Sequence, residues 1–363
     1  MGIKAKVNAL SLNQFTAFEN ANFDFSPGIN VLIGANSTGK THLMKIIYTI
    51  LKVVLSIKNG ENETTAHRAF KLFALRMQNI FNIPGMDKYI RNNNKTENAE
   101  IILEYNDIPL KFIISHSREY DELYCEDSLV DIETPSSTIY LPPKEFLSIN
   151  DGFIATYNNR EIPYDETYYD LALALNALPL RPQKLSNVKN AINILEDILV
   201  GNSFPKDNII SNENGHFYFN LPEGKLDVHF IADGLKKIGM LLFLLKNGSL
   251  DENSILFWDE PETNLNPQLI VKIVGILKEF ALSGMQIFIT THDYLLSNEL
   301  SLLAENPSSP DLNIKFFALH KPDRKSGIIV ESGQTIAEIE NNPILEEFAS
   351  HYDRESALFQ NME

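Results

Sequence analysis

The chain has 363 residues, of which 44% are hydrophobic, and it carries a formal net charge of −17 at pH 7. This length and composition indicate a globular protein with two domains, or with one domain that contains an insertion. The acidic balance disfavours non-specific binding to DNA, because the phosphate backbone is repelled at long range.

Two basic stretches keep a small nucleic-acid patch open as an alternative. Lys236 and Lys237 are adjacent, and residues 68–71 include Arg68 and Lys71. On a dimer these stretches could form a local positive surface, although such runs are more often an ordinary solvated face. Nucleic acid therefore stays open as a partner that the net charge does not indicate.

Neither a membrane segment nor a disulfide is expected. The longest apolar run, residues 238–245, is far shorter than the ~20 residues that cross a bilayer. The first residues lead into strand-like sequence rather than into an apolar signal segment, so we expect a cytoplasmic protein with no membrane partner. Cys125 is the single cysteine, and we interpret it as a structural thiol.

The first elements of the chain are predicted to be strands. Residues 3–33 alternate or run apolar in strand-length pieces, with a turn at Pro27 and Gly28 before a buried run at 31–33. From Thr41 to Val54 the apolar residues recur at helical spacing. A strand, a glycine-rich loop and a helix therefore follow in order, which is the first half of a βα unit.

The middle of the chain is predicted to hold an insertion and a second lobe. Residues 58–98 are polar, rich in asparagine and partly helical, and residues 92–95 are the predicted disordered tip. The elements predicted after this insertion are strands at 99–105, 110–115 and 137–141, and helices at 168–178 and 187–200. We interpret them as an antiparallel β lobe followed by a helical segment.

Buried strands alternate with helices in the last third, which indicates an α/β fold with a mostly parallel sheet. The predicted elements are strands at 216–221, 226–231, 254–258, 286–290, 314–319 and 328–331, with helices at 234–246, after Pro267, after Asp293 and in the tail. The predicted domains are 1–57, 58–98 (insertion), 99–201 (second β lobe and helical segment), 202–310 and 311–363 (terminal strands and tail helix).

One glycine-rich loop has the pattern of a phosphate-binding site. Residues 34–41 match G-x-x-x-x-G-K-[ST], with a predicted strand before them and a helix after them. Backbone N–H groups of such a loop point at phosphates, Lys40 reaches the β and γ phosphates, and Thr41 binds Mg²⁺ through its hydroxyl. The predicted ATP-binding residues are Gly34, Asn36, Ser37, Thr38, Gly39, Lys40 and Thr41.

Two carboxylates follow a second buried strand. Asp259 and Glu260 end the run Ile-Leu-Phe-Trp, at the edge where open α/β sheets bind ligands. Asp259 is predicted to hold Mg²⁺, mostly through water, and Glu260 to polarise the attacking water. The alternative is that the two acids only cap the helix that follows.

The segment after these acids resembles the ABC-type ATPase class. Asp-Glu-Pro-Glu-Thr-Asn-Leu-Asn-Pro occupies residues 259–267, and His292 follows Glu260 by 32 positions. The resemblance implies a P-loop NTPase of the ABC-ATPase type, with catalytic roles for Glu260 and for His292 as the switch histidine. It also implies a D-loop at Asn264, Leu265 and Asn266. A purely structural histidine is the alternative at position 292.

The signature of the class, which binds the nucleotide of a partner subunit, has one candidate position. Ala232, Asp233 and Gly234 precede a predicted helix, but Ala232 stands where the class has a serine whose hydroxyl contacts the γ-phosphate. The alternative is a simple helix cap at Asp233. No glutamine is predicted for the Q-loop, because Gln78 falls in the insertion and the strand end at 140–145 offers Glu145 instead.

The whole chain is similar to compact bacterial AAA-type ATPases with an ABC-like head. These include RecF, the SMC group and the ATPase half of overcoming-lysogenisation-defect nucleases, and the stretches at 141–148 and 161–169 add to the likeness. The resemblance implies ATP and Mg²⁺ as cofactors. It also implies an ATP-dependent homodimer or higher oligomer.

The same resemblance implies a regulatory role in anti-phage defence or DNA repair, exerted on a separate effector protein. Two alternatives stay open, an ATPase subunit coupled directly to nucleic-acid cleavage and a transport motor. Residues 58–98 and 341–363 are least explained by the nucleotide site, so we expect the effector to dock there.

Overall fold

The computed structural model describes residues 5–60, 66–91, 98–115, 122–125, 132–177, 186–306, 310–323 and 326–360. The tip predicted at 92–95 lies outside these residues. The strands are β1 Val7–Phe15, β2 Phe18–Asp24, β3 Ile29–Gly34, β4 Ala99–Tyr105, β5 Ile108–Ile114, β6 Glu122–Cys125, β7 Thr138–Leu141, β8 Ile210–Glu213, β9 His216–Leu221, β10 Gly224–Asp227, β11 Ile255–Asp259, β12 Gln286–Thr291, β13 Ile314–His320 and β14 Ile329–Gly333. The helices are α1 Lys40–Gly60, α2 Ala66–Phe81, α3 Phe153–Asn158, α4 Glu166–Leu175, α5 Lys189–Val200, α6 Asp233–Lys246, α7 Pro267–Ser283, α8 Tyr294–Glu305 and α9 Pro343–Gln360.

A six-stranded sheet in the order β14-β13-β3-β12-β11-β7 forms the centre of the fold. Its neighbours pair in parallel, except for β13 with β14. Every residue of β3, β11 and β12 is buried, as expected where helices cover both faces of a parallel sheet. The predicted α/β fold with a mostly parallel core is confirmed, and the ends of β3, β11 and β12 meet at one edge of the sheet.

A second sheet is antiparallel and joins two parts of the chain that were predicted to be separate. Its order is β2-β1-β4-β5-β6, so strands from the predicted domain 1–57 pair with strands from the predicted lobe 99–201. Alternation of apolar residues identifies a strand but does not show which other strand it pairs with. The hairpin between β4 and β5 turns at Asn106 and Asp107, both with positive φ.

The predicted insertion contains a helix that belongs to the core. Along α2, the side chains of Ala69, Phe73, Met77 and Ile80 are buried, and the ring of Phe73 lies 4.3 Å from that of Phe112 in β5. The segment is polar on average, but its apolar residues fall on one face of the helix. Residues 66–81 therefore pack into the core of the antiparallel lobe.

Strand β7 was predicted in the second lobe but pairs in parallel with β11, at the edge of the central sheet. All four of its residues are buried, which is typical of a parallel strand. The predicted lobe 99–201 thus contributes to both sheets. In the part of the chain that the structure describes, no helix is both long and apolar enough to cross a membrane.

Candidate active site

The glycine-rich loop connects β3 to α1, and two of its glycines are required by close neighbours. Gly34 has φ of 152° and Gly39 has φ of 90°. A Cβ on Gly34 would lie 2.4 Å from the carbonyl oxygen of Leu319, and one on Gly39 would lie 2.9 Å from the ring of Phe18. The loop therefore owes its shape to β13 and β2 as well as to its own sequence.

Lys40 is held over this loop by backbone carbonyls. Its Nζ donates hydrogen bonds to the carbonyl oxygens of Gly34, at 2.8 Å, and Ala35, at 3.0 Å. Burial lowers the pKa of Lys40 to about 8, although the negative charges of Glu260 and Asp259 oppose this shift. The side chain is thus a cation at pH 7 in the position where the loop amides converge.

Asp259 is almost fully buried, at 4% exposure, and both of its carboxylate oxygens are hydrogen-bonded. Oδ1 accepts from the hydroxyls of Thr41, at 3.3 Å, and Thr290, and Oδ2 accepts from the Tyr140 hydroxyl at 3.0 Å. Burial and the neighbouring Asp259 raise the pKa of Tyr140, so it stays a donor. The two predicted magnesium ligands, Thr41 and Asp259, therefore lie side by side.

This donor set fits a magnesium ion that also uses phosphate and water oxygens. A hydroxyl and one carboxylate are hard oxygen ligands, and Mg²⁺ in phosphate sites takes few ligands from the protein. No group of three or more His, Cys, Asp or Glu side chains placed to hold a metal occurs among the described residues. The pair is thus incomplete as a metal site without a phosphate ligand.

Glu260 and His292 face each other beside Lys40. Glu260 Oε1 lies 3.6 Å from His292 Nε2, and both side chains are about one third exposed. The backbone of Glu260 has a positive φ of 49° and its N–H donates to Thr290, which fixes the carboxylate at the end of β11. Burial and the charge of Lys40 lower the pKa of His292, so the imidazole is neutral at pH 7.

These groups open onto one cavity of about 330 Å³. It is lined by Ala17, Asn36, Ser37, Thr38, Gly39, Lys40, Thr41, His42, Glu260 and His292. We call it the P-loop cavity. The structure brings most of the predicted ATP-binding and catalytic residues to it, while Gly34 and Asp259 lie behind them. Ala17, which lies in the turn between β1 and β2, was not predicted from the sequence.

Glu262 organises the histidine loop and was missed by sequence reasoning. Its Oε1 accepts hydrogen bonds from the Thr291 hydroxyl, at 2.8 Å, and from the His292 backbone N–H, at 3.0 Å. Burial raises the pKa of Glu262, and these two donors oppose that shift. The carboxylate thus holds His292 opposite Glu260. Glu262 lies between the Asp259-Glu260 pair and the predicted D-loop, and no sequence motif assigns a role to an acid at that position.

The predicted signature lies at the start of α6. Ala232 is the N-cap and makes no side-chain cap, and Asp233 is the first helical residue, so the alternative of an Asp233 cap is wrong. Asp233 accepts hydrogen bonds from Lys236, at 3.1 Å, and from Asn264 of the predicted D-loop, at 3.3 Å. A Cβ on Gly234 would lie 3.1 Å from Leu265, so the predicted signature and D-loop pack tightly together.

The D-loop residues themselves have different local roles. Asn264 has a positive φ of 62°, whereas Asn266 is the N-cap of α7 and accepts a hydrogen bond from the Leu269 N–H at 2.9 Å. The P-loop cavity is lined by neither the predicted signature nor the predicted D-loop of the same chain.

Lys236 and Lys237 do not form the basic surface patch that the sequence analysis kept as an alternative. They are 7% and 2% exposed. Lys237 Nζ donates to the carbonyls of Pro261, at 3.4 Å, and Thr263, at 2.7 Å, and burial lowers its pKa to about 8. Helix packing buries the pair, which ties α6 to the loop after β11.

The two Q-loop candidates lie away from the P-loop cavity. Gln78 lines a separate cavity of about 700 Å³ between α2 and the chain before α4. Glu145 accepts from the Ser148 N–H and lies 3.8 Å from Lys236. The Q-loop contact therefore stays unassigned.

Comparison with known protein families matches residues 29–298 to the family described as "AAA domain, putative AbiEii toxin, Type IV TA system". The chain belongs to this family. The match covers β3 through the first turns of α8, and therefore every residue of the candidate site except Ala17. The predicted relationship to bacterial ABC-like ATPases of the RecF and SMC group is confirmed.

Two curated relatives are DNA replication and repair proteins named RecF. The protein from Staphylococcus carnosus (strain TM300) is 44% identical over 45 residues, which are 12% of each chain. The one from Psychromonas ingrahamii (strain DSM 17664 / CCUG 51855 / 37) is 30% identical over 106 residues, 28% of this chain and 27% of the relative. The aligned part thus spans about a quarter or less of those relatives.

A solved structure, the SmcHead bound to the C-winged helix domain of ScpA, matches with a TM-score of 0.55 and 13% identity. The match covers 92% of this chain and 99% of that chain. At this identity the likeness concerns the fold, which is that of an ABC-type ATPase head.

Proposed function

We propose that this chain binds ATP with Mg²⁺ and hydrolyses it in the P-loop cavity. The observation that carries the proposal is the convergence of a buried cation, Lys40, with Asp259, Glu260 and His292 at one edge of a parallel sheet. These are the kinds of side chain that phosphoryl transfer from ATP to water requires around the phosphates.

Each side chain has a distinct part in the proposed reaction. The Lys40 ammonium exchanges its hydrogen bonds to the two backbone carbonyls for hydrogen bonds to the phosphates. The backbone N–H groups of the loop bind the same phosphates. Thr41 and Asp259 would hold the magnesium ion, which neutralises charge on the phosphates when bound. Tyr140 and Thr290 fix the Asp259 carboxylate, so that it does not have to reorganise.

Glu260 is proposed to accept the proton of the attacking water. Its carboxylate is partly exposed to the cavity, and its position is set by the Thr290 contacts to its N–H. The neutral His292 imidazole is 3.6 Å away and is available to contact the terminal phosphate. In the proposed active form, residues 232–234 of one copy close over the P-loop cavity of another.

Replacement of Glu260 by glutamine tests the reaction and the pairing together. Glu260→Gln should bind ATP with the affinity of the native protein and release phosphate at least about 100-fold more slowly, because the amide keeps the shape but not the basicity of the carboxylate. Static light scattering should show a larger species with ATP than with ADP. Calorimetry supplies the affinity.

Glu213→Gln is the matched control, since Glu213 is an exposed acid on β8 that should affect neither property. Undiminished phosphate release by Glu260→Gln would refute the assigned base. An unchanged particle size with ATP, in a sample that binds it, would refute the nucleotide-bridged pair.

We further propose that the ATP cycle regulates a separate effector, in anti-phage defence or DNA repair. The family description refers to a toxin system, and the two curated relatives are named for replication and repair. Helix α9 is a candidate docking element, because Phe348, Tyr352 and Leu358 are 49%, 69% and 65% exposed. Tyr352→Ser with Leu358→Ser should keep ATP turnover and lose cellular function. Survival of both would exclude docking on α9.

A further inference from the structure

A large aromatic side chain is exposed two residues before the predicted signature. Phe230 is 82% exposed, the highest fraction among the large hydrophobic residues that the structure describes. Its neighbours Val228 and Ile231 are 1% and 6% exposed. The ring therefore projects into solvent from a backbone that is anchored on either side.

Local hydrogen bonds order the backbone on either side of Phe230. Residues 228–230 form a single 3-10 turn, in which the Asp227 carboxylate accepts from the His229 N–H at 2.9 Å. The Ile231 N–H donates to the Val228 carbonyl at 3.1 Å. Both ends of the turn are therefore fixed, and Phe230 is presented from a defined backbone.

The position of Phe230 indicates what covers it. Residues 232–234 begin α6, and two residues of extended chain span at most about 7 Å. In the proposed pair these residues face the nucleotide held by the other copy, so Phe230 lies at the rim of the same contact. The P-loop cavity of one copy and the Phe230 ring of another are then brought to the same surface.

Charge argues in the same direction. Each copy carries a formal net charge of −17, so two copies repel each other at long range. At position 232 the chain has a methyl group instead of a hydroxyl, which removes one polar contact to the phosphates. An apolar contact would add to the backbone N–H groups at the start of α6 in favouring closure.

We propose that Phe230 is an interface anchor that packs against the nucleotide-loaded P-loop face of a second copy of this chain. The inference rests on the proposed function, because it assumes the nucleotide-bridged pair. In a two-fold symmetric pair the contact is made twice. Burying one phenylalanine ring strengthens association on the order of 10- to 100-fold.

The experiment uses the full-length chain with Glu260→Gln, so that ATP is not consumed. Light scattering across a range of protein concentrations gives the midpoint of pairing with Mg²⁺ and ATP. Adding Phe230→Ala should raise this midpoint at least tenfold. Calorimetry at a concentration below the midpoint should give an unchanged affinity for ATP. The control is Leu75→Ala, which truncates another exposed side chain, 56% exposed on α2, and should leave the midpoint unchanged.

A second variant reports burial directly. The native chain has one tryptophan, Trp258, which is fully buried in β11. Phe230→Trp, in the same Glu260→Gln background, should restore pairing. The fluorescence emission of the introduced tryptophan ring should shift to shorter wavelength with ATP but not with ADP. The parent with Phe230 supplies the Trp258 background.

The outcomes separate the two proposals. If Glu260→Gln with Phe230 intact shows no ATP-dependent pairing, the pair itself is refuted and the anchor with it. If that protein pairs and Phe230→Ala pairs at the same midpoint, the anchor alone is refuted. A tryptophan at 230 whose emission does not respond to ATP in a paired sample also refutes the anchor.

Discussion

The two halves of the proposed nucleotide site differ in how complete they are within one chain. Around the P-loop, Lys40 and Asp259 are 6% and 4% exposed, and each is hydrogen-bonded by groups of the same chain. At the start of α6, Ala232 offers no side-chain hydrogen bond and Phe230 is 82% exposed. The first half is held largely by groups of its own chain, with Lys40 proposed to move on binding, whereas the second is proposed to be completed by another copy. Substitutions in the two halves should therefore have separable effects on binding and on pairing.

The largest expected effect comes from the P-loop half. Lys40→Ala should weaken ATP binding at least about 100-fold, because two charge-assisted hydrogen bonds to phosphate are lost at about 1.5–3 kcal/mol each. Titration calorimetry measures the affinity. Lys71→Ala removes an exposed lysine on α2 and should bind ATP normally. If Lys40→Ala bound ATP with native affinity, ATP binding would not depend on the buried Lys40 cation.

The pH dependence of ATP binding tests the charge of Lys40 in the P-loop half. A lysine with a pKa of about 8 is a cation below that pH and loses its charge above it. ATP affinity should therefore fall about tenfold between pH 7 and pH 9, where about one tenth of the free side chain is charged. Nucleotide binding should then take up a proton near pH 9, which calorimetry in buffers of different ionisation enthalpy detects.

Lys40→Arg is the control for this pH profile, because arginine stays charged throughout the range. It also separates Lys40 from Lys237, whose pKa is likewise about 8. An identical decline in Lys40→Arg would assign the effect to another group.

The smallest expected effect concerns the α6 half. Ala232→Ser supplies the missing N-cap of α6 and should raise the free energy of unfolding by about 1 kcal/mol in urea titrations. Its hydroxyl should also lower the midpoint of ATP-dependent pairing several-fold, as one added hydrogen bond to phosphate would. Ala232→Gly is the control, because glycine at the N-cap gives most of the increase in the free energy of unfolding without adding a hydroxyl. Equal pairing by the two variants would mean that position 232 does not contact the nucleotide.

Much of the P-loop half could be predicted because its motifs are local. The spacing within residues 34–41, and the acids that directly follow β11, require no knowledge of partners in space. Tyr140 and Thr290 were not predicted, because they reach Asp259 only through the parallel pairing of β7 and β12 with β11. Residue spacing within one strand says nothing about its neighbours in the sheet.

In two regions the composition did not show how the side chains pack. Residues 66–81 are polar on average, yet one face of α2 enters the core. Lys236 and Lys237 are a charged pair by sequence, yet backbone carbonyls and carboxylates satisfy them in the interior. In both cases the helix period determines which side chains are buried, and average polarity does not show it.

The pairing of β3 with β13 also has a consequence for biosynthesis. Ile33, at the end of the strand that carries the P-loop, lies in register with Ala318, close to the other end of the chain. At 5–20 residues per second, a ribosome needs roughly 15 to 60 s to deliver the second strand after the first. During translation the apolar edge of β3 stays unpaired until that strand is made, and an unpaired apolar edge favours aggregation. A truncated product that stops before β13 would lack the wall against which Gly34 packs.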